Sequence, residues 1–169
     1  AHKFGGPKGV GFLYANKELT LTPLLYGGAQ EAGRRAGTEN VAGIIGMGTA
    51  SDISTAHQKE HTLLQQTLRD HLMNRILSEI PMTRLNGSRQ ERLPGNINVS
   101  FAGIDSATLI AMLEAKDIYV SGGSACSSSD PSPSHVLKAI GLSDEMALSA
   151  VRITIGHENT PEEIEETFR

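Results

Sequence analysis

The chain has 169 residues, 38% of them hydrophobic and 20% charged, with a formal net charge of −4. That suits one large domain, or one small domain with an attached piece of another, and is enough to bury a core. The mild charge leaves no electrostatic footprint for nucleic acid or an anionic membrane. No apolar run approaches the roughly 18 residues of a membrane-spanning helix, and the N-terminus lacks the regions of a signal peptide. A single cysteine rules out an internal disulfide and agrees with a reducing compartment.

In chain order, residues 1–9 (AHKFGGPKG) form a turn-rich loop, because Gly5, Gly6 and Pro7 oppose regular structure. Residues 10–14 are predicted as a short buried strand, 16–22 as a polar loop and 23–26 as a further extended stretch. A glycine-rich loop at 27–37 carries Glu31, Arg34 and Arg35. From Glu39 the pattern turns helical. Val41, Ile44 and Ile45 are followed by Leu63, Leu64, Leu68, Leu72, Ile76 and Leu77 near helical spacing, and Pro81 ends the run. One long helix, or two in tandem, is expected to bridge two domains.

Beyond Pro81 the rhythm is α/β. A strand is predicted over 82–85, and an alternating strand over 96–101 places Ile97, Val99 and Phe101 on one face. A helix over 105–117 takes Asp105 or Ser106 as its cap, and a strand follows over 118–120. The serine-rich stretch 121–135 is expected to be a mobile loop. Short helices are expected over 134–140 and after the Ser143 cap, then a strand over 150–155. Thr160, Pro161 and Glu163 mark another helix start with a capping box. A first residue that is not Met, and a helix beginning so near Arg169, suggest a piece of a longer protein.

Four places could carry chemistry. Cys126 sits among small polar residues (SGGSACSSSD) that cannot form a core, so it reads as an exposed thiol. It is either an incidental surface group or a nucleophile on a flexible arm. No second cysteine or suitably placed histidine pair makes it a zinc site. Lys3 stands in a tight loop leading into the expected strand. Partial desolvation there would favour the neutral amine that a Schiff base requires, whereas an ordinary surface lysine is the plain alternative. His2 beside it could donate to a phosphate. In GGAQEAGRRAGTEN, glycines would let N–H groups approach an anion, and Thr38 stands before a helix start. It is either a phosphate donor or a simple N-cap. Arg152, between apolar neighbours on a strand, needs a partner for its guanidinium, either a substrate carboxylate or a structural carboxylate.

In this order the segments resemble the cysteine desulfurases of the NifS/IscS type, within the class-V aminotransferases. The resemblance covers essentially the whole chain and is carried by AHKFGGPKGVG, RAGTEN and SGGSACSSSDPSPSHVLKAIGL. It implies an α/β fold of the pyridoxal-phosphate transferase fold type I. Residues 1–58 would be the C-terminal part of the large cofactor-binding domain with a connecting helix. Residues 59–169 would be the small C-terminal α/β domain carrying the cysteine loop.

The resemblance also implies the roles. Lys3 would carry the pyridoxal 5'-phosphate and move the substrate's α-proton, and His2 would hold the phosphate. Thr38 would reach the phosphate of the neighbouring subunit in a homodimer, and Arg152 would bind the carboxylate of L-cysteine. Cys126 would take the sulfur as a persulfide and could transiently ligate an iron–sulfur cluster. An iron–sulfur scaffold or a sulfur carrier for tRNA thiolation would accept it, in the cytoplasm, with no membrane or direct nucleic-acid partner and no resident metal. The family's remaining cofactor contacts lie N-terminal to the lysine, and only two residues precede Lys3 here. Two other readings stay open: a selenocysteine lyase or another class-V aminotransferase, and a non-catalytic dimerisation or partner-binding domain.

Overall fold

The computed structural model describes residues 1–122 and 132–169. The serine-rich stretch expected to be mobile, with Cys126 in it, lies largely outside the described residues. The chain divides into two compact units, Ala1–Gln58 and Lys59–Arg169.

The first unit is built of turns and one helix segment. A 3-10 turn, His2–Phe4, closes on Gly5, which takes the left-handed conformation (φ 86°) open to glycine. A second 3-10 turn spans Gln30–Gly33. Helix α1 (Val41–Glu79) begins in this unit, and its residues from 59 onward belong to the second. Asn40 caps it, its side-chain oxygen accepting the Gly43 N–H at 3.1 Å. The helix stops just short of Pro81, which disfavours helical conformation in the residue before it.

The strand expected over 10–14 does not form. Phe12, Leu13 and Tyr14 are 75%, 78% and 86% exposed. A strand needs a ladder partner, and every described strand belongs to the second unit. The expected extended stretch at 23–26 is likewise coil and bends.

The second unit holds a three-stranded antiparallel sheet in the order β1-β2-β3, with β1 Thr83–Leu85, β2 Asn96–Phe101 and β3 Ala150–Thr154. Val99 pairs with Leu85 on one side and Val151 on the other. Ile97, Val99 and Phe101 face the core, where they meet Leu68, Leu72, Met73 and Ile76 of α1. Leu72 is 1% exposed; burial of such a side chain contributes about 1.5–3 kcal/mol. Leu63, expected on the same stripe, is exposed.

Helix α2 (Ser106–Glu114) is capped by Asp105, which accepts from the Thr108 N–H at 2.9 Å. On the other face of the sheet, Leu137 of α3 (His135–Ala139) and Ala147 of α4 (Asp144–Leu148) cluster with Leu142 and Ala150. Helix α5 (Pro161–Phe168) starts on the Thr160–Glu163 capping box. It docks through buried Ile164 and through Glu165, which His71 and Arg75 of α1 each meet at 2.5 Å.

The strand expected over 118–120 is absent. The Ile118 N–H is taken by the Leu113 carbonyl (3.0 Å) at the end of α2, and Asp117 turns the chain at φ 60°. Among the described residues of this stretch, Ser121 joins the sheet, in an isolated bridge to Arg152.

Candidate active site

Lys3 and His2 stand on the first 3-10 turn, both exposed. The expected desolvation of Lys3 is not found, because the strand that would have packed beside it is coil. The turn is nevertheless held. Its backbone closes through Phe4 N–H and Gly6 N–H on the Ala1 carbonyl (both 3.1 Å). The Ser54 hydroxyl of α1 donates to the Phe4 carbonyl at 3.2 Å. Phe4 lines an open cleft of about 330 Å³ with Phe12 and the α1 face Ser51, Ser54 and Thr55.

Thr38 is exposed and follows Gly37, whose φ of 107° favours glycine. The Gly37 N–H donates to the Gln30 side chain at 3.1 Å, tying the glycine-rich loop ahead of α1. Because Asn40 takes the capping role, the Thr38 hydroxyl is left without a hydrogen-bond partner among the described residues. Asn40, and not Thr38, therefore caps α1.

Arg152 is half-buried on β3, opposite Asn98 of β2. Its N–H donates to the Ser121 carbonyl at 2.7 Å and its carbonyl accepts the Ser121 N–H at 3.1 Å. This places Asn98 and Arg152 as a non-hydrogen-bonded pair, whose side chains approach closely on one face. The neighbourhood is made of amides and hydroxyls. Asn86 donates to the Asn98 side-chain oxygen (2.7 Å) and to the Ser100 hydroxyl (2.9 Å), and Ser100 donates to the Met146 carbonyl (2.6 Å). No carboxylate pairs with Arg152 among the described residues. A cleft of about 350 Å³ between residues 116–120, β3 and α5 contains none of the candidate residues.

The first unit thus carries Lys3, His2 and Thr38, and the second carries Arg152 and the root of the Cys126 segment. Cys126 itself lies outside the described residues. The donor set fits pyridoxal phosphate chemically. A primary amine suits the aldehyde, and an imidazole and a hydroxyl suit the phosphate, with none of the three engaged by another side chain among the described residues. Sequence reasoning missed Asn40 as the cap, and also Ser54 and the amide row behind Arg152. The Asn that stands three residues before Gly43 was the available signal for the first. The others depend on contacts between distant residues.

Among known proteins, the aminotransferase class-V family model matches residues 1–167. A cysteine desulfurase IscS of Methanosarcina thermophila is 48% identical over 164 residues, covering 97% of this chain and 40% of the relative. A cysteine desulfurase IscS of Dictyoglomus turgidum is 46% identical over 168 residues, covering 99% and 43%. A solved NifS-like protein superposes with a TM-score of 0.87 at 35% identity, over 99% of this chain and 42% of that one. A NifS-like protein from Rickettsia africae gives 0.78 at 31% identity, over 89% and 39%. The chain therefore spans about two fifths of the length of the curated relatives it matches. Its α/β architecture is that of the corresponding part of fold-type I pyridoxal-phosphate enzymes. The chain belongs to the class-V aminotransferase family, whose members are pyridoxal-phosphate enzymes.

Proposed function

We propose that this chain supplies the cofactor lysine, the substrate-binding arginine and the sulfur-accepting thiol of a cysteine desulfurase, which converts L-cysteine to L-alanine and leaves a persulfide on Cys126. The names of its curated relatives support the reaction. Residues 1–58 are then the C-terminal part of the large cofactor-binding domain, and residues 59–169 the small domain. Lys3 would hold pyridoxal phosphate through Nζ and His2 its phosphate, while Thr38 would reach the phosphate of the neighbouring subunit's cofactor. When bound, the cofactor supplies an electron sink for a carbanion on the substrate.

The chain's own residues do the rest. The planar fork of Arg152 pairs with the substrate carboxylate and fixes its orientation. Lys3 Nζ takes and returns the α-proton. Cys126, as thiolate, attacks the substrate sulfur. A sulfur–sulfur bond forms as the carbon–sulfur bond breaks. The substrate carbon keeps the bonding electrons and takes a proton, which gives L-alanine.

One observation carries this reading. A guanidinium without a carboxylate partner among the described residues stands on the strand residue to which Ser121 is hydrogen-bonded. Cys126 follows Ser121 by five residues, a contour of at most about 18 Å. The thiol is therefore tethered near the carboxylate anchor by chain length alone. In the parent protein we place the chain in a cytoplasmic homodimer, with Thr38 serving the neighbouring subunit's phosphate. The persulfide sulfur passes to an iron–sulfur scaffold or sulfur-carrier protein. The single cysteine is consistent with a reducing compartment, and no helix among the described residues is long and apolar enough to cross a membrane.

The test is made in the full-length protein. Cys126→Ala retains the visible absorbance of the lysine-bound cofactor and loses persulfide formation from L-cysteine. Undiminished alanine and sulfide production by that variant would overturn the assignment and favour another class-V reaction.

A further inference from the structure

Gly46 lies within α1, where glycine costs about 1 kcal/mol relative to alanine and so needs a packing reason. The reason is on the opposite side of a close contact. A β-carbon at Gly46 would come within 2.8 Å of Pro7 Cγ and 3.3 Å of Cδ. Those atoms belong to a rigid ring, and Pro7 lies four residues after Lys3. Eight residues along the same helix, the Ser54 hydroxyl donates to the carbonyl of Phe4, directly after Lys3. Two points of α1 about 12 Å apart therefore fix the two ends of the segment that follows Lys3.

Between these points Gly5 takes a left-handed backbone conformation (φ 86°), as does Gly9 two residues beyond Pro7 (φ 77°), so the glycines at both places leave the backbone free to turn. Its position is set from the helix. The apolar neighbours Phe12, Leu13 and Tyr14 are exposed and contribute no packed bed beneath it.

We propose that Gly46 and Ser54 are positioning residues for Lys3: the bare Gly46 backbone seats the Pro7 ring and Ser54 holds the Phe4 carbonyl, which together set where the Lys3 amine meets the cofactor aldehyde. This rests on the reading of Lys3 as the cofactor-bearing amine. Neither residue touches the cofactor, and both act through the turn. Adding a methyl at Gly46 displaces Pro7 and rotates the turn. Deleting the Ser54 hydroxyl frees its other end.

The test uses the full-length holoenzyme and its absorbance, not turnover alone. Gly46→Ala is expected to weaken affinity for pyridoxal phosphate about tenfold and to shift the pH midpoint of the visible band. The conservative Ser54→Thr should keep the wild-type spectrum, and Ser54→Ala should shift it in the same sense as Gly46→Ala. Removing the ring in the double variant Pro7→Ala/Gly46→Ala should restore most of the affinity lost by Gly46→Ala. A purely structural glycine gives the opposite pattern: alanine improves helix propensity, thermal stability rises, and the band and its midpoint stay put. That result, or a double variant no better than Gly46→Ala, overturns the proposal. Lys3→Ala separates the two levels. If it keeps the visible band, the cofactor assignment fails. If it loses the band while Gly46→Ala and Ser54→Ala leave it unmoved, only the positioning role fails.

Discussion

Arg152 stands on a strand whose neighbour is buried Val151 and whose sheet carries a core of α1, β2 and α5 side chains. Lys3 stands on a three-residue turn with no buried residue, held by backbone closure and a few contacts to α1. One unit positions its candidate side chain by packing and the other by backbone geometry. The two should therefore fail differently. Damage to the Lys59–Arg169 core costs folding free energy, whereas damage to the Lys3 turn or the Thr38 loop costs ligand affinity with little change in stability.

The largest expected effect is in the packed unit. Leu72→Ala removes a side chain 1% exposed at the helix–sheet contact and should lower stability by about 2–5 kcal/mol in urea unfolding. A loss below about 1 kcal/mol would mean that this core does not carry the unit. Arg152→Ala should lower kcat/KM for L-cysteine about 100-fold, matching the roughly 3 kcal/mol of a charged bidentate pair, with the melting temperature nearly unchanged. A large stability loss with normal kinetics would make Arg152 structural.

Next comes a paired test at the start of α1. Asn40→Ala should cost about 1 kcal/mol as a lost cap. Thr38→Ala should leave stability alone and weaken cofactor affinity. If the two exchanged effects, the cap assignment would be reversed.

The smallest effect is with pH. Hydrogen bonding from His71, with further help from Arg75, holds the Glu165 carboxyl below its usual range. The Thr160 N–H does the same for Glu163 in the capping box. Both are depressed in the folded state, so their stabilisation is complete above the ordinary glutamate pKa, about 4.3. It is lost as pH falls through the folded values. Thermal melts of Glu165→Gln should lie below the parent chain at pH 7, with a gap that closes between pH 5 and pH 3 because the variant has the weaker acid dependence. Identical slopes would remove Glu165 from the account.

How much of this was visible beforehand follows the same division. Strand β2 was legible at its bounds because Ile97, Val99 and Phe101 alternate and the chain itself provides partners on both sides. The Ser143 and Thr160 caps were legible because capping is local, and the α2 cap was legible to within one residue, Asp105 or Ser106. Residues 10–14 have the composition of a strand, but pairing is not a local property, and no described strand of their unit receives them. Residues 118–120 failed for a related reason, since the end of α2 claims the Ile118 N–H. Of the candidate site, Lys3, His2, Thr38 and Arg152 were named from residue type and motif. Their hold on the fold was not readable, because Ser54 bonds to a residue 50 positions away and Ser121 to one 31 positions along the chain.

The account depends on the amine and the thiol serving one reaction, and mass spectrometry of the full-length protein after incubation with L-cysteine addresses that directly. The peptide containing Cys126 should gain the mass of one sulfur atom in the parent protein and gain nothing in Lys3→Ala. Sulfur loaded onto Cys126 equally well without the Lys3 amine would contradict it.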